Sequence, residues 1–98
     1  MRLFDTHAHF TDKSDVDGLL SRAAEAGVVR VLAVGGSREL NRNALRTPCP
    51  IALGWDRDQL DADDAALKEL ERLVADNAQR VAAIGEIGLD YYCPSPRK

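Results

Sequence analysis

The sequence predicts an α/β fold of parallel βα repeats, and three observations carry that expectation. Short apolar runs alternate with longer amphipathic segments, as strands and crossover helices do. Capping and breaking residues (Ser14, Gly27, Ser37, Pro48, Pro50, Asp63) fall between those segments rather than inside them. The 98 residues, 45% hydrophobic and 30% charged, have the balance of one globular core, without internal repeats or low-complexity tracts, so a disordered chain is excluded.

Four strands and three helices can be placed. Arg2 to His7 reads as the first strand. A loop through Ser14 follows, and Ser14 is placed to cap a helix whose Val16, Leu19, Leu20 and Ala23 recur at spacings of 0, 3, 4 and 7. Gly27 ends that helix as a left-handed cap. Val28 to Val34 is a buried second strand running into Gly35-Gly36-Ser37. Those glycines read as a tight turn, with backbone amides offered to an anion as the alternative. Ser37 caps a short helix toward Leu45, closed off by Pro48 and Pro50. Ile51 to Gly54 is a third strand. Asp63 or Asp64 then opens a helix with an apolar stripe of Ala66, Leu67, Leu70, Leu73 and Val74. Asp61, Asp63 and Asp64 suit its positive end, and Asp64 and Lys68 are spaced for an i,i+4 ion pair. Val81 to Glu86 is the fourth strand.

Composition narrows the function classes. A formal charge of −3 argues against a broadly basic surface, so any nucleic-acid contact has to be local. No stretch approaches the ~18 apolar residues of a membrane span. Met1-Arg2-Leu3-Phe4 runs into Asp5 without the apolar core of a secretory signal, and a cytoplasmic location is expected. Cys49 and Cys93, beside prolines and without CxxC spacing, read as reduced structural thiols.

The chemistry concentrates at two places. Both histidines of the chain, His7 and His9, lie in Asp5-Thr6-His7-Ala8-His9. Random placement gives that spacing in about 2% of cases, whereas a strand-borne metal pair requires it, because alternate strand residues share a face. Asp5 shares that face and is positioned to accept a hydrogen bond from an imidazole, or to be satisfied by backbone amides. Glu86 ends the fourth strand, where a buried carboxylate needs a partner: a cation, or an arginine or lysine at the sheet edge. The carboxyl ends of parallel strands converge on one face, which brings His7, His9 and Glu86 near one another. Gly85 and Gly88 clear space beside Glu86 for a close approach of backbone or ligand. Trp55 is read either as a stacking surface for a base or sugar, or as core or rim.

These residues resemble a known family. Asp5-Thr6-His7-Ala8-His9 looks like the DxHxH opening of the amidohydrolase-type metal hydrolases. Gly85-Glu86-Ile87-Gly88-Leu89-Asp90-Tyr91-Tyr92 is similar to the GExGLDYY segment of their TatD branch, the deoxyribonuclease-like hydrolases. The resemblance implies the amino-terminal half of a (β/α)8 TIM barrel, with residues 1–98 as one partial and truncated domain. It further implies two divalent ions (Mg, Mn or Zn), held by His7, His9 and Glu86, with Glu86 bridging the two and serving as the catalytic carboxylate. Asp5, Asp90 and Trp55 are then expected around these ligands or toward the substrate, and DNA or another phosphodiester is the expected partner, cleaved by metal-activated water. The family's later histidines and aspartate have no counterpart here, so the isolated chain is expected to be inactive and to self-associate through its open half barrel. An amide or cyclic-amide hydrolase of the same superfamily, or a metal-binding remnant without turnover, are the alternatives. The chain departs from the family's GxHP segment, carrying Gly54-Trp55-Asp56-Arg57 in its place.

Overall fold

A computed structural model describes residues 1–56 and 63–88. Strands β1 (Leu3–Ala8), β2 (Val28–Gly36), β3 (Ile51–Trp55) and β4 (Val81–Ile87) alternate with helices α1 (Val16–Glu25), α2 (Arg38–Leu45) and α3 (Asp64–Asp76). All neighbouring strands are parallel, in the order β1-β2-β3-β4. This is the arrangement of the amino-terminal half of a βα barrel, as the alternating pattern predicts.

Burial follows position in the sheet. β3 lies between β2 and β4 and is buried at every residue from Ile51 to Gly54, which explains its unbroken apolar run. The core joins Phe10, Ala33, Ala44, Cys49, Ile51 and Leu53, with Val16 and Leu20 of α1 and Leu70, Leu73 and Val74 of α3 packed against it. Leu19 and Leu67, read as part of the apolar stripes, are instead 41% and 50% exposed. The helices rest on the strands, and these two residues stand on helix flanks turned away from the sheet. No described helix is long and apolar enough to cross a membrane.

Side chains satisfy the helix starts, although not always the predicted ones. Asp15 caps α1 by accepting from the Gly18 amide at 3.2 Å. Ser14 is diverted, because its Oγ accepts from the Thr11 amide at 2.9 Å and closes the preceding loop. Ser37 caps α2 and Asp63 caps α3, accepting from Leu40 and Ala66 at 3.1 and 2.9 Å. Gly27 follows α1 at a φ of +99°, the left-handed cap expected there. Asp64 and Lys68 form no ion pair; among the described residues Arg38 of α2 instead pairs with Glu69 of α3 through two 2.8 Å bonds. Cys49 is buried and free, whereas Cys93, Asp61 and Arg57 lie outside the described residues.

All three strand ladders lose regular register toward their carboxyl ends. Between Asp5 and Ala8, β1 advances three residues while β2 advances two, from Val31 to Ala33. β3 advances three, from Ala52 to Trp55, against two in β2, from Val34 to Gly36. β4 advances three, from Ile84 to Ile87, against two in β3, from Leu53 to Trp55. Such bulges re-aim side chains, and here they surround the residues that carry the chemistry.

Candidate metal centre

His7 lies near the end of β1, His9 one residue beyond it, and Glu86 inside the irregular end of β4. Their side chains converge. His7 Nε2 is 3.1 Å from His9 Nε2 and 3.1 Å from Glu86 Oε1, and His9 Nε2 is 3.4 Å from the same oxygen. The rings meet edge to face, with centroids 4.8 Å apart. The cluster is open to solvent on the histidine side, where the side chains of His7 and His9 are 54% and 37% exposed against 24% for Glu86.

The hydrogen-bonding pattern assigns the nitrogens. His9 Nδ1 lies 2.8 Å from the Val34 carbonyl. A carbonyl only accepts, so that nitrogen carries the proton and a neutral ring leaves the Nε2 lone pair facing His7 and Glu86. Three electron-rich atoms then point at one another, an arrangement that calls for a proton or a cation among them. Two ligands each about 2.0–2.1 Å from one ion stand about 2.9–3.4 Å apart in octahedral or tetrahedral geometry. The observed separations, 3.1 to 3.4 Å, match that spacing.

Two features of the backbone deliver Glu86 to this point. A Cβ at Gly54 would collide with the backbone of Gly85 and Glu86, so β4 crosses β3 closely only because position 54 is glycine. A Cβ at Gly36 would lie 3.4 Å from the Cβ atoms of both Glu86 and Asp56. The close approach expected at Gly85 and Gly88 is made at Gly54 instead, while Gly36 is required by its φ of +139°. Among the described residues, an added Cβ at Gly85 meets only Ala52, at 3.8 Å, and one at Gly88 meets nothing within 4 Å.

Asn41 fixes the two critical glycines and escaped the reading of the sequence. At 2% exposure, its Oδ1 accepts from the amides of Gly36 and Gly54 at 3.1 and 3.2 Å, and its Nδ2 donates to the Gly54 carbonyl at 3.0 Å. The signal was available: Asn41 occupies a core-face position of α2, three and four residues before Ala44 and Leu45. The Gly36 amide is thereby used within the protein, and Ser37 Oγ takes the Leu40 amide, so the glycine turn does not present these donors to an anion.

The remaining site residues fall as follows. Asp5 Oδ1 accepts from the backbone amide of His7 at 3.0 Å rather than from an imidazole, and so steadies the main chain that carries the ring. Ring orientation is held by Val34, a backbone acceptor that no side-chain motif announces. Trp55 is half-buried, in register between Gly36 and Ile87, and its Nε1 is shielded from solvent with no hydrogen-bond partner among the described residues. Asp90 lies outside the described residues. Asp56, which follows β3, hydrogen-bonds Glu86. Burial pushes the Glu86 carboxyl upward, but its hydrogen bonds with Asp56 and His7 and the nearby imidazoles outweigh this and hold it below the usual carboxylate range.

Four parallel strands whose carboxyl ends gather two imidazoles and a carboxylate define half of a βα barrel with a metal-ligand type of cluster on its functional face. The chain belongs to the family of TatD related DNases, whose family model matches residues 4–98. It is 39% identical, over 94% of its length, to the uncharacterized metal-dependent hydrolase TatD of Mycobacterium tuberculosis. It is 31% identical over 98% to YjjV of Escherichia coli and 33% identical over 92% to YabD of Bacillus subtilis, both likewise named uncharacterized metal-dependent hydrolases. The chain spans 38%, 40% and 38% of those relatives' lengths. No solved structure matches it.

Proposed function

We propose that this chain supplies the first-strand and fourth-strand ligands of a metal-dependent hydrolase that cleaves phosphodiester bonds, with DNA as substrate. The observation that carries this reading is the meeting of His7 Nε2, His9 Nε2 and Glu86 Oε1 at 3.1 to 3.4 Å. Family membership supports the substrate class. Two nitrogens and a carboxylate oxygen suit zinc, manganese or a similar divalent ion. Such an ion supplies Lewis acidity toward the phosphodiester and makes water acidic enough to attack near neutral pH.

The protein's own residues do the positioning. The His9 Nδ1–H bond to Val34 aims its Nε2 at the cluster, the Asp5 carboxylate fixes the main chain under His7, and Gly54 lets the Glu86 backbone approach β3. The exposure of both imidazoles leaves an approach for an extended anionic substrate. Domain extent follows the same reading: residues 1–98 form part of one barrel domain rather than a separate module.

The test uses a chain of the relatives' full length that carries this segment. Divalent-ion-dependent DNA cleavage is expected, with His7→Ala and Glu86→Gln each lowering turnover by about 10³-fold, the equivalent of about 4 kcal/mol of lost transition-state stabilisation. The 98-residue chain alone should bind the ion without cleaving. Full activity in both variants would overturn the proposal. Hydrolysis of an amide in place of DNA would overturn its substrate while keeping its metal site.

A further inference from the structure

Helix α2 turns two asparagine side chains into the protein. Asn41 and Asn43 are 2% and 4% exposed, and a carboxamide so deep is costly unless its polar atoms are bonded. Their partners are backbone groups that adjoin the metal cluster. Asn43 Nδ2 donates to the Phe10 carbonyl at 3.1 Å, one residue beyond His9. Asn41 spans β2 and β3 where their ladder is irregular, between Val34 and Gly36. There its carboxamide stands in for a peptide group, accepting from the amides of Gly36 and Gly54 and donating to the Gly54 carbonyl. Gly35 makes room for this insertion, because a Cβ there would collide with Asn41 Oδ1.

The two side chains thereby reach both arms of the cluster. Gly36 lies two residues beyond Val34, whose carbonyl holds the His9 ring, and Gly54 is where the backbone of Gly85 and Glu86 crosses β3. Packing alone calls for apolar side chains at two buried positions beside Ala44. What the carboxamides add is a fixed placement of the backbone, since hydrogen bonds are directional and apolar contacts are not.

We propose that Asn41 and Asn43 are positioning residues for the metal cluster. Asn43 sets the main chain that carries His9, and Asn41 sets the spacing of β2 and β3 at which Glu86 meets the imidazoles. The inference rests on the reading of His7, His9 and Glu86 as ligands of one ion, and extends it from the ligands to the helix behind them. Removing groups that orient metal ligands costs about 10–100-fold in affinity. The lower end is expected here, because both asparagines act through the backbone.

The experiment is zinc binding to the 98-residue chain, followed by calorimetry, with ¹⁵N magnetic resonance of the metal-free protein, for the wild type and for Asn41→Ala, Asn43→Ala, His7→Ala and Leu70→Ala. Leu70 packs on the core from α3, so its truncation lowers stability without removing these bonds. Asn41→Ala and Asn43→Ala should each weaken zinc about tenfold, whereas Leu70→Ala should stay within about threefold of wild type. Asn43→Ala should also shift the His9 Nδ1–H signal before zinc is added. Wild-type affinity in both asparagine variants, or an equal loss in Leu70→Ala, would overturn the positioning role while leaving the cluster standing. Affinity indifferent to His7→Ala would overturn the cluster itself. If the asparagine variants fail to fold, the wild type decides. Zinc should then move the side-chain NH₂ signals of Asn41 and Asn43 in step with the imidazoles, and leave in place that of Asn77, which bonds the Leu73 carbonyl in α3. Asn41 and Asn43 signals unmoved at saturating zinc would contradict the proposal.

Discussion

Replacing Asn41 by alanine should be among the most damaging single changes in the described part of this protein, and its size can be worked out from three bonds. The side chain satisfies two backbone amides and one carbonyl, at Gly36 and Gly54, in a position 2% exposed. Truncation leaves each group unpaired, at about 1–3 kcal/mol apiece if dry and less where water enters the vacated space. A loss of about 3–4 kcal/mol is the reasonable sum, against a total of about 5–15 kcal/mol for a domain of this size. With an m-value of about 1–1.5 kcal/mol/M, the urea midpoint should fall by about 2–4 M. Asn41→Asp separates shape from hydrogen bonding. It keeps both acceptor contacts but turns an oxygen toward the Gly54 carbonyl and buries a charge, so a comparable loss is expected without any cavity. Hydrogen exchange localises the effect, because the Gly36 and Gly54 amides should lose protection before those within α3. A midpoint shift worth less than about 1 kcal/mol, or those two amides still protected, would refute the reasoning.

Other consequences can be checked independently. Arg80 donates to the carbonyls of Leu45, Thr47 and Cys49 at 2.8, 2.6 and 3.1 Å, stapling the start of β4 to the segment after α2. Arg80→Lys keeps the charge but not the fork, and should lower unfolding free energy by about 2–3 kcal/mol; a change under about 0.5 kcal/mol would contradict that role. The bidentate bond from Arg38 holds the Glu69 carboxyl below its usual range. A depressed folded-state value means a contribution present above the ordinary glutamate pKa and lost as pH falls through the lowered one. The difference in melting temperature between wild type and Glu69→Gln should therefore vanish in acid and shrink in high salt, and a pH-independent difference would count against it. Phe4, Ile84 and Ile87, on the outer strands β1 and β4, are 66%, 52% and 65% exposed. Sedimentation of the 98-residue chain at micromolar concentration should accordingly show dimers or larger species, whereas a compact, cooperatively unfolding monomer would exclude that association.

The fold was legible because its signals are periodic and local. Strand and helix runs separate cleanly at Gly27, Pro48 and Pro50, and every predicted element is present, with no predicted strand end moved by more than two residues. The cap at Asp15 was missed because Ser14 and Asp15 are chemically equivalent candidates, and only the loop bond from Thr11 decides between them. Leu19 and Leu67 fit the helical period, but period alone does not say how far around a helix the sheet reaches.

The candidate site divides along the same line. His7, His9 and Glu86 could be named because rare residue types stood in a tight pattern. Asn41, Asp56 and Gly54 could not, since their roles depend on contacts across 5, 30 and 32 residues of chain to Gly36, Glu86 and Glu86. The Val34 carbonyl is backbone and leaves no mark in a sequence at all. The alternation argument for β1 is a simplification, because the ladder is irregular between Asp5 and Ala8, although the two imidazoles do converge.

With only two histidines in the chain, nitrogen magnetic resonance on the imidazoles tests the metal centre without ambiguity. Zinc titration of the ¹⁵N-labelled protein should move both Nε2 resonances together, leave the His9 Nδ1–H signal in place, and require about tenfold or more zinc in Glu86→Gln. Rings that stay unmoved at saturating zinc, or that respond through Nδ1, would contradict the assignment of these three side chains to one ion.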